Sequence, residues 1–260
     1  MRLFMRQKEP AVRRSAWAPA PAQVPEGERV YAIGDIHGRL DLLRMLAAAV
    51  EEEQRLLPPA RPTIVFVGDY VDRGPDSFGV IDWLCRRPLP DFERVHLRGN
   101  HEQWFEEFLG GDISVGPSWL YCGGVQTLAS YGVRAAHGED DAMRLRVLQA
   151  DLAAAVPPAH RAFLRGLEPY REIGGYLFVH AGIRPGVPLA EQSSDDVYWI
   201  RDAFLYSTAD HGRVVVHGHT IANEAQVCPN RIGIDTGAFA TNVLTCLVLE
   251  ADRYRLIQTA

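Results

Sequence analysis

The heptapeptide GDYVDRG at residues 68–74 directly follows a β-branched apolar run at residues 63–67. A short run of this kind, followed by a loop rich in glycine and aspartate, is typical of a buried strand that ends at a functional loop. The same pattern recurs four times, with apolar runs at residues 30–33, 94–97, 176–179 and 214–216. Apolar residues at helical spacing between several of these runs predict α/β architecture with a mostly parallel sheet.

Five loops follow these predicted strands, and each of them contains Asp, His or Asn. They read GDIHG (34–38), GDYVDRG (68–74), RGNHE (98–102), HAG (180–182) and HGHT (217–220). Each loop alone is explained as a simple turn, because Gly and Asp favour turns. Together they place oxygen and imidazole ligands at the carboxyl edge of the sheet, which predicts a shared metal site. A ligand set without thiolate suits Mn, Fe, Zn or Mg.

Composition excludes several other classes of function. The net charge of the 260-residue chain is −6, which argues against nucleic acid as a partner. No apolar run is long enough to span a membrane, so we expect no membrane partner and a cytoplasmic location. Lys8 is the only lysine. A side chain that grips a phosphate inside the fold must therefore be arginine, whose planar fork suits phosphate oxygens.

The chain divides into a leader and one domain. Residues 1–28 are rich in Arg, Pro and Ala, and they predict a flexible leader. Residues 29–260 form the predicted domain, with residues 103–175 as a mainly helical insertion. The aromatic residues of that insertion, Trp119 and Tyr121 among them, are interpreted as core, with a substrate mouth as the alternative. Two strands are predicted near the end, at residues 243–249 and 254–258.

The five motifs, in this order, resemble the signature series of the phosphoprotein phosphatase family of calcineurin-like metallophosphoesterases. They are most similar to the bacterial and phage-type members, such as lambda phosphatase. The resemblance implies a metallophosphoesterase fold, a central β-sandwich flanked by helices. It also implies two divalent metal ions, with manganese preferred and iron, zinc or magnesium as alternatives. The implied metal ligands are Asp35 and His37 at the first ion, Asp69 at both ions, and Asn100, His180 and His219 at the second.

The resemblance also implies the roles of the residues around the metal ions. His101 would be the general acid, oriented by Asp72, while Arg73 and Asn100 would bind the phosphate. Arg201 resembles the second phosphate-binding arginine, and Arg184 is its competitor. A hydroxide that bridges the two ions would attack phosphorus in line. His217 is predicted on the opposite face of its strand from His219, in a supporting role.

The function implied by the resemblance is that of a serine/threonine protein phosphatase, with phosphotyrosine as a further substrate. The alternative is a symmetrical diadenosine tetraphosphatase, so the substrate is either a phosphoprotein or a phosphorylated small molecule. The symmetrical diadenosine tetraphosphatases typically lack an aspartate at the position of Asp72 and carry aspartate at the position of Glu102. Both differences favour the protein phosphatase. A non-catalytic scaffold is disfavoured by the intact ligand set. Ala238 and Phe239 replace the tyrosine-bearing loop of the eukaryotic enzymes, so no regulatory subunit is inferred.

Overall fold

The strands of the protein form two sheets in the computed structural model, which describes residues 11–134 and 140–260. In this part of the chain the strands are β1 (Val12–Arg14), β2 (Ala18–Pro19), β3 (Glu28–Ile33), β4 (Arg61–Phe66), β5 (Glu93–His96), β6 (Tyr170–Ile173), β7 (Tyr176–Val179), β8 (Val214–His217), β9 (Gln226–Val227), β10 (Arg231–Gly233), β11 (Thr245–Glu250) and β12 (Arg253–Thr259).

Helices cover the outer faces of both sheets. Over the same described residues they are α1 (Leu40–Leu56), α2 (Ser77–Cys85), α3 (Asn100–Leu109), α4 (Gly116–Trp119), α5 (Val125–Ser130), α6 (Asp141–Ala155), α7 (Pro158–Arg165), α8 (Ser194–Trp199), α9 (Asp202–Leu205) and α10 (Ala238–Thr241). None of these helices is both long and apolar enough to cross a membrane.

The two sheets stack into a β-sandwich, which confirms the predicted fold class. The first has the order β1-β12-β11-β3-β4-β5, with β2 also paired to β12, and the second has the order β6-β7-β8-β10-β9. Strands β3, β4 and β5 are parallel, as are β7, β8 and β10. The prediction of one mostly parallel sheet was therefore wrong: the motif-bearing strands are parallel but divided between two mixed sheets. Periodicity identifies a strand, but not its partner.

Alternation along each strand separates two apolar cores. In β3, Val30 and Ala32 face the second sheet and pack with Phe178 and Val216. Tyr31 and Ile33 point the other way and pack under helices α1 and α2. Because side chains of a strand alternate between its two faces, one sequence of consecutive apolar residues can fill both cores.

The prediction of a flexible leader is wrong for residues 11–28. Strand β1 pairs antiparallel with β12, and β2 pairs with the beginning of the same strand. The side chain of Trp17 stacks under the guanidinium groups of Arg253 and Arg255. Strands β1 and β2 therefore cover an edge of β12 that would otherwise leave backbone N–H and C=O groups free. They lie at the edge of the sheet themselves, where proline is tolerated. Residues 1–10 lie outside the described residues.

The region predicted as a mainly helical insertion consists largely of helices and turns from α3 to Arg165. Residues 135–139 lie outside the described residues. The last part of the region, Tyr170–Ile173, is strand β6 instead. Trp119 is fully buried, as the core interpretation expected, whereas 93% of Tyr121 is exposed. Strands β11 and β12 lie at the positions predicted for the last two strands.

Candidate metal centre

The five motif loops meet at one edge of the sandwich, at the carboxyl ends of β3, β4, β5, β7 and β8. Several of their residues adopt a left-handed backbone conformation that non-glycine residues rarely occupy. These residues are His37, Asp69, Asp72, Arg73 and His219, with φ values of 44°, 50°, 71°, 64° and 62°. Such strain concentrates at functional sites, where the surrounding fold holds it in place.

Glycine is required where these loops approach each other most closely. A Cβ atom at Gly218 would overlap the Oδ1 atom of Asp35, and a Cβ atom at Gly99 would overlap the Oδ1 atom of Asp69. The glycines of the HGHT and RGNHE motifs thus allow two buried carboxylates to pack against neighbouring backbone.

Two groups of buried side chains could each hold a metal ion, and Asp69 belongs to both. The first ligand group is His37, Asp69 and His101, and the second ligand group is Asp69, His180 and His219. The Oδ2 atom of Asp69 lies 3.4 Å from His37 Nε2, and its Oδ1 atom lies 3.3 Å from His180 Nε2. Each carboxylate oxygen therefore faces a different group, as a shared ligand of two ions requires.

Asn100 and Asp35 lie beside these groups. The Oδ1 atom of Asn100 lies 2.9 Å from His180 Nε2 and 2.9 Å from His219 Nδ1. The Oδ2 atom of Asp35 accepts a hydrogen bond from the backbone N–H of His219 at 2.9 Å. All six residues predicted as metal ligands are thus buried and lie together at this edge.

Unpartnered polar atoms indicate that these residues fit a cation. Asp35 Oδ1, His37 Nε2 and His219 Nε2 are buried without a hydrogen-bond partner among the described residues. Burying such atoms is costly unless a ligand satisfies them. His37 Nδ1 lies 2.8 Å from the carbonyl oxygen of Val71, and His180 Nδ1 lies 2.9 Å from that of Val67. A proton on each Nδ1 leaves the Nε2 lone pair facing the cluster, the tautomer that binds metal.

Burial also sets the charges of the cluster. It lowers the pKa of His37 and of His219, so both imidazoles are neutral lone-pair donors. Burial raises the pKa of Asp35, and the neighbouring Asp235 and Asp69 raise it further. Burial opposes ionisation of Asp69 as well, but attraction to the surrounding imidazoles, when these are protonated, holds the pKa of Asp69 below its usual value. Crowded carboxylates and neutral imidazoles are suited to divalent cations.

His101 and Asp72 form a buried pair next to the first ligand group. His101 Nδ1 lies 2.6 Å from Asp72 Oδ2, which leaves its Nε2 atom directed at the cluster, 3.9 Å from Asp69 Oδ2. Burial lowers the pKa of His101, but Asp69 and Asp72 more than compensate and hold this pKa above the usual value. By distance alone His101 could bind a metal ion, but its bond to Asp72 also suits a proton donor.

Two residues that support Asp72 were not found from the sequence. Trp119 donates its indole N–H to Asp72 Oδ2 at 3.0 Å, and the Thr127 hydroxyl donates to Oδ1 at 2.6 Å. Both residues belong to the helical region and lie 47 and 55 positions from Asp72. No local signal in the sequence connects them to the GDYVDRG loop.

Glu102 and Asp235 also received no site role from the sequence. Glu102 accepts hydrogen bonds from the backbone N–H groups of Asp69, Tyr70 and Gly99, so it holds the loop that carries the shared aspartate. Asp235 follows β10 and lies buried beside Asp35. The sequence does contain a signal for Asp235, because Asp-Thr-Gly after a strand resembles the Gly- and Asp-containing loops of the five motifs.

The arginines differ in what they contact. Arg73 Nη2 lies 3.1 Å from His101 Nε2, and its guanidinium group lies over the Phe239 ring at 4.9 Å. Arg201 hydrogen-bonds to the Thr220 hydroxyl at 3.3 Å, and its charge contributes to lowering the pKa values of His180 and His219. Arg184 instead forms a salt bridge with Asp196 at 2.7 Å.

His217 lies outside both ligand groups, although it belongs to the HGHT motif. Its ring packs edge-on against Phe204 at 5.2 Å, and its Nδ1 atom lies 3.0 Å from the Gly218 carbonyl oxygen. Its side chain therefore faces the helices outside the second sheet, whereas His219 faces the cluster.

Comparison with known proteins identifies the family. The chain is 28% identical over 235 residues to the asymmetrical bis(5'-nucleosyl)-tetraphosphatase PrpE of Anoxybacillus flavithermus, covering 83% of this chain and 88% of that protein. It is 36% identical over 97 residues to serine/threonine-protein phosphatase 1 of Salmonella typhimurium, covering 36% of this chain and 38% of that protein.

A crystal structure of the cold-active protein-tyrosine phosphatase of a psychrophilic Shewanella species superposes with a TM-score of 0.56 at 18% identity, covering 90% of this chain and 80% of that one. At this identity the likeness shows the shared fold. The sequence profile described as calcineurin-like phosphoesterase matches residues 28–231. All residues of the two ligand groups lie within this matched region. The chain belongs to the calcineurin-like phosphoesterases.

Proposed function

We propose that this phosphoesterase hydrolyses phosphomonoesters, with phosphoserine and phosphothreonine in proteins as its substrates. The observation that carries the proposal is the hydrogen bond between His101 and Asp72 beside the first ligand group. A serine or threonine alkoxide is a far stronger base than the phosphate that leaves a polyphosphate chain. It therefore gains more from a positioned proton donor, and His101 is placed to be one.

Each residue of the centre has a part in this proposal. Asp35, His37, Asp69, Asn100, His180 and His219 would hold two divalent cations, which supply Lewis-acid stabilisation and an activated water when bound. Arg73 and Arg201 bind the phosphate oxygens, since guanidinium groups form paired hydrogen bonds with them. Asp72 holds the His101 ring so that Nε2 faces the leaving oxygen. Burial of the centre strengthens all of these charge interactions.

The second candidate is hydrolysis of dinucleoside polyphosphates. It is supported by the relative from Anoxybacillus flavithermus, which is named as an asymmetrical bis(5'-nucleosyl)-tetraphosphatase and whose match covers 83% of this chain. The match to a named serine/threonine phosphatase covers only 36% of it. The ligand groups suit both reactions, because each begins with attack of water on a phosphorus atom held by cations.

The experiment compares leaving groups in the wild-type protein and in His101→Asn. Phosphate release from phosphoserine and phosphothreonine peptides is measured beside cleavage of diadenosine tetraphosphate, each with manganese. We expect efficient peptide turnover that falls by about 10²–10⁴-fold in His101→Asn, with bound manganese unchanged. The matched control is His211→Asn, a histidine outside both ligand groups.

Two outcomes would contradict the proposal. Dinucleotide cleavage much faster than peptide turnover would assign the chain to the second candidate. Peptide turnover that is unchanged in His101→Asn would remove the proton-donor role on which the proposal rests.

A further inference from the structure

Two tryptophans flank the metal centre on the side of His101. The indole rings of Trp104 and Trp199 meet edge-on, with centroids 4.5 Å apart, and both are partly exposed. The Trp104 ring lies 5.9 Å from the His101 ring, and the Trp199 ring lies 6.4 Å from the His219 ring. We call this pair the aromatic wall. It borders both ligand groups and remains accessible to solvent.

The wall is built into fixed elements. Trp104 follows His101 by three positions in α3, so the two side chains project from the same face of the helix. Trp199 is the last residue of α8, and its indole N–H donates to Gln103 Oε1 at 3.0 Å. Gln103 is held in turn by a hydrogen bond from its amide nitrogen to Glu107 at 2.9 Å. The orientation of the Trp199 ring is therefore set before any substrate arrives, and the Trp104 ring packs edge-on against it.

Packing alone does not account for Trp199. Trp104 packs partly against the core beneath the helices, but Trp199 belongs to none of the three apolar clusters formed by the described residues. Its aromatic neighbours are Trp104 and His219. A large apolar ring left partly exposed beside a polar site is a common feature of ligand subsites.

We propose that the aromatic wall is a leaving-group subsite for an aromatic ring esterified directly to phosphate, as in an aryl phosphate or a phosphotyrosine side chain. This inference rests on the proposed function, and it names the residues that would select an aryl over an alkyl leaving group at the same centre. His101 defines the leaving-group side, because a proton donor must reach the leaving oxygen. The Trp104 ring packs edge-on against the His101 ring, so an aryl ring bonded to the leaving oxygen would lie next to the aromatic wall.

The position of the wall favours an aryl ring over a nucleobase. In an aryl phosphate the ring is bonded to the leaving oxygen itself. In a nucleotide the ribose separates the base from its nearest phosphate, which carries the base away from His101. Aromatic rings pack edge-on or offset with centroids about 4.5–7 Å apart, the range that the two tryptophans already show between themselves.

The test uses two peptides of one sequence, phosphorylated on tyrosine or on serine. For Trp199→Leu we expect kcat/KM to fall about tenfold for the phosphotyrosine peptide and less than threefold for the phosphoserine peptide. Trp199→Phe keeps an aromatic ring and should recover most of the loss. Tyr206→Leu, which removes an exposed aromatic ring at the end of α9, serves as the matched control.

A binding measurement makes the test independent of turnover. We expect phenylphosphonate to inhibit the wild-type protein more tightly than methylphosphonate, and this preference to disappear in Trp199→Leu. Equal losses for the two peptides, with no preference between the phosphonates, would overturn the aromatic wall as a subsite. If neither peptide is hydrolysed, the proposed function fails. Calorimetric binding of the two phosphonates to the manganese-loaded protein then still decides whether the wall selects an aromatic ring.

Discussion

The indole N–H of Trp119 lies 3.0 Å from Asp72 Oδ2, so a residue of the helical region contacts the carboxylate that is bonded to His101. Asp72 is fully buried, and Thr127 donates to its other oxygen. A buried carboxylate needs such donors, because it has lost its water. Helices α4 and α5 thus support the metal centre by stabilising the Asp72 carboxylate, which in turn holds His101.

Replacing Trp119 with Phe removes this donor while keeping most of the buried ring. Hydrogen bonds to charged groups contribute about 1.5–3 kcal/mol, so we expect a decrease of about 2 kcal/mol in the free energy of unfolding. We also expect kcat on a phosphopeptide to fall roughly tenfold, since the orientation of His101 depends on Asp72. Denaturant unfolding and steady-state kinetics measure the two effects. Trp83→Phe, at a partly buried position in α2, is the control, and an equal loss of kcat there would contradict the prediction.

The candidate ligands could be picked out from the sequence because each belongs to a local pattern. A β-branched run followed by Gly-Asp or Asn-His marks a strand and its loop within about ten residues, and parallel strands bring such loops to one edge. Trp119 and Thr127 could not be predicted in this way. Their contacts with Asp72 depend on how helices about 50 residues away pack over the sheet. The pairing of β1 and β2 with β12 was missed because β12 lies at the other end of the sequence, so no local pattern indicates the contact.

Asp69 should be the one ligand whose loss affects both metal sites. In Asp69→Asn one carboxylate oxygen becomes an amide N–H donor, which cannot bind a cation. We therefore expect the manganese content to fall at both sites, whereas Asp35→Asn should lower it only at the first. Elemental analysis of each variant after equilibration with manganese measures the ions bound per chain. Retention of two ions in Asp69→Asn would contradict the assignment of a shared ligand.

Arg201 and Arg184 offer a direct comparison of two exposed arginines. Arg201 lies beside Thr220 near the second ligand group, whereas Arg184 is paired with Asp196. Loss of a charged hydrogen bond to phosphate costs about 1.5–3 kcal/mol, so Arg201→Ala should lower kcat/KM by roughly 10–100-fold. Arg184→Ala removes a surface salt bridge, which contributes little, and should change kcat/KM less than threefold. The reverse ranking in phosphopeptide kinetics would reassign the second phosphate-binding arginine.

Asp235 should make the metal-free protein less stable at high pH. Burial raises the pKa of Asp235 from 3.8 to about 6, with Asp69 adding to the effect. A carboxyl group whose pKa is raised by folding is protonated in both states well below the unfolded pKa of 3.8, so it costs nothing there. The cost appears as the pH rises through about 4–6 and is complete above that range. Because an asparagine side chain cannot ionise, the substitution Asp235→Asn should remove this cost.

The expected gain for Asp235→Asn is on the order of 1–3 kcal/mol in the free energy of unfolding at pH 8 and only about 0.5 kcal/mol at pH 4. Urea unfolding of the metal-stripped wild-type and variant proteins at both pH values measures it. In the manganese-loaded proteins the gain should shrink, because bound cations favour the ionised carboxylates of the centre. A gain of the same size at pH 4 and pH 8 would show that it arises from packing and not from the charge of Asp235.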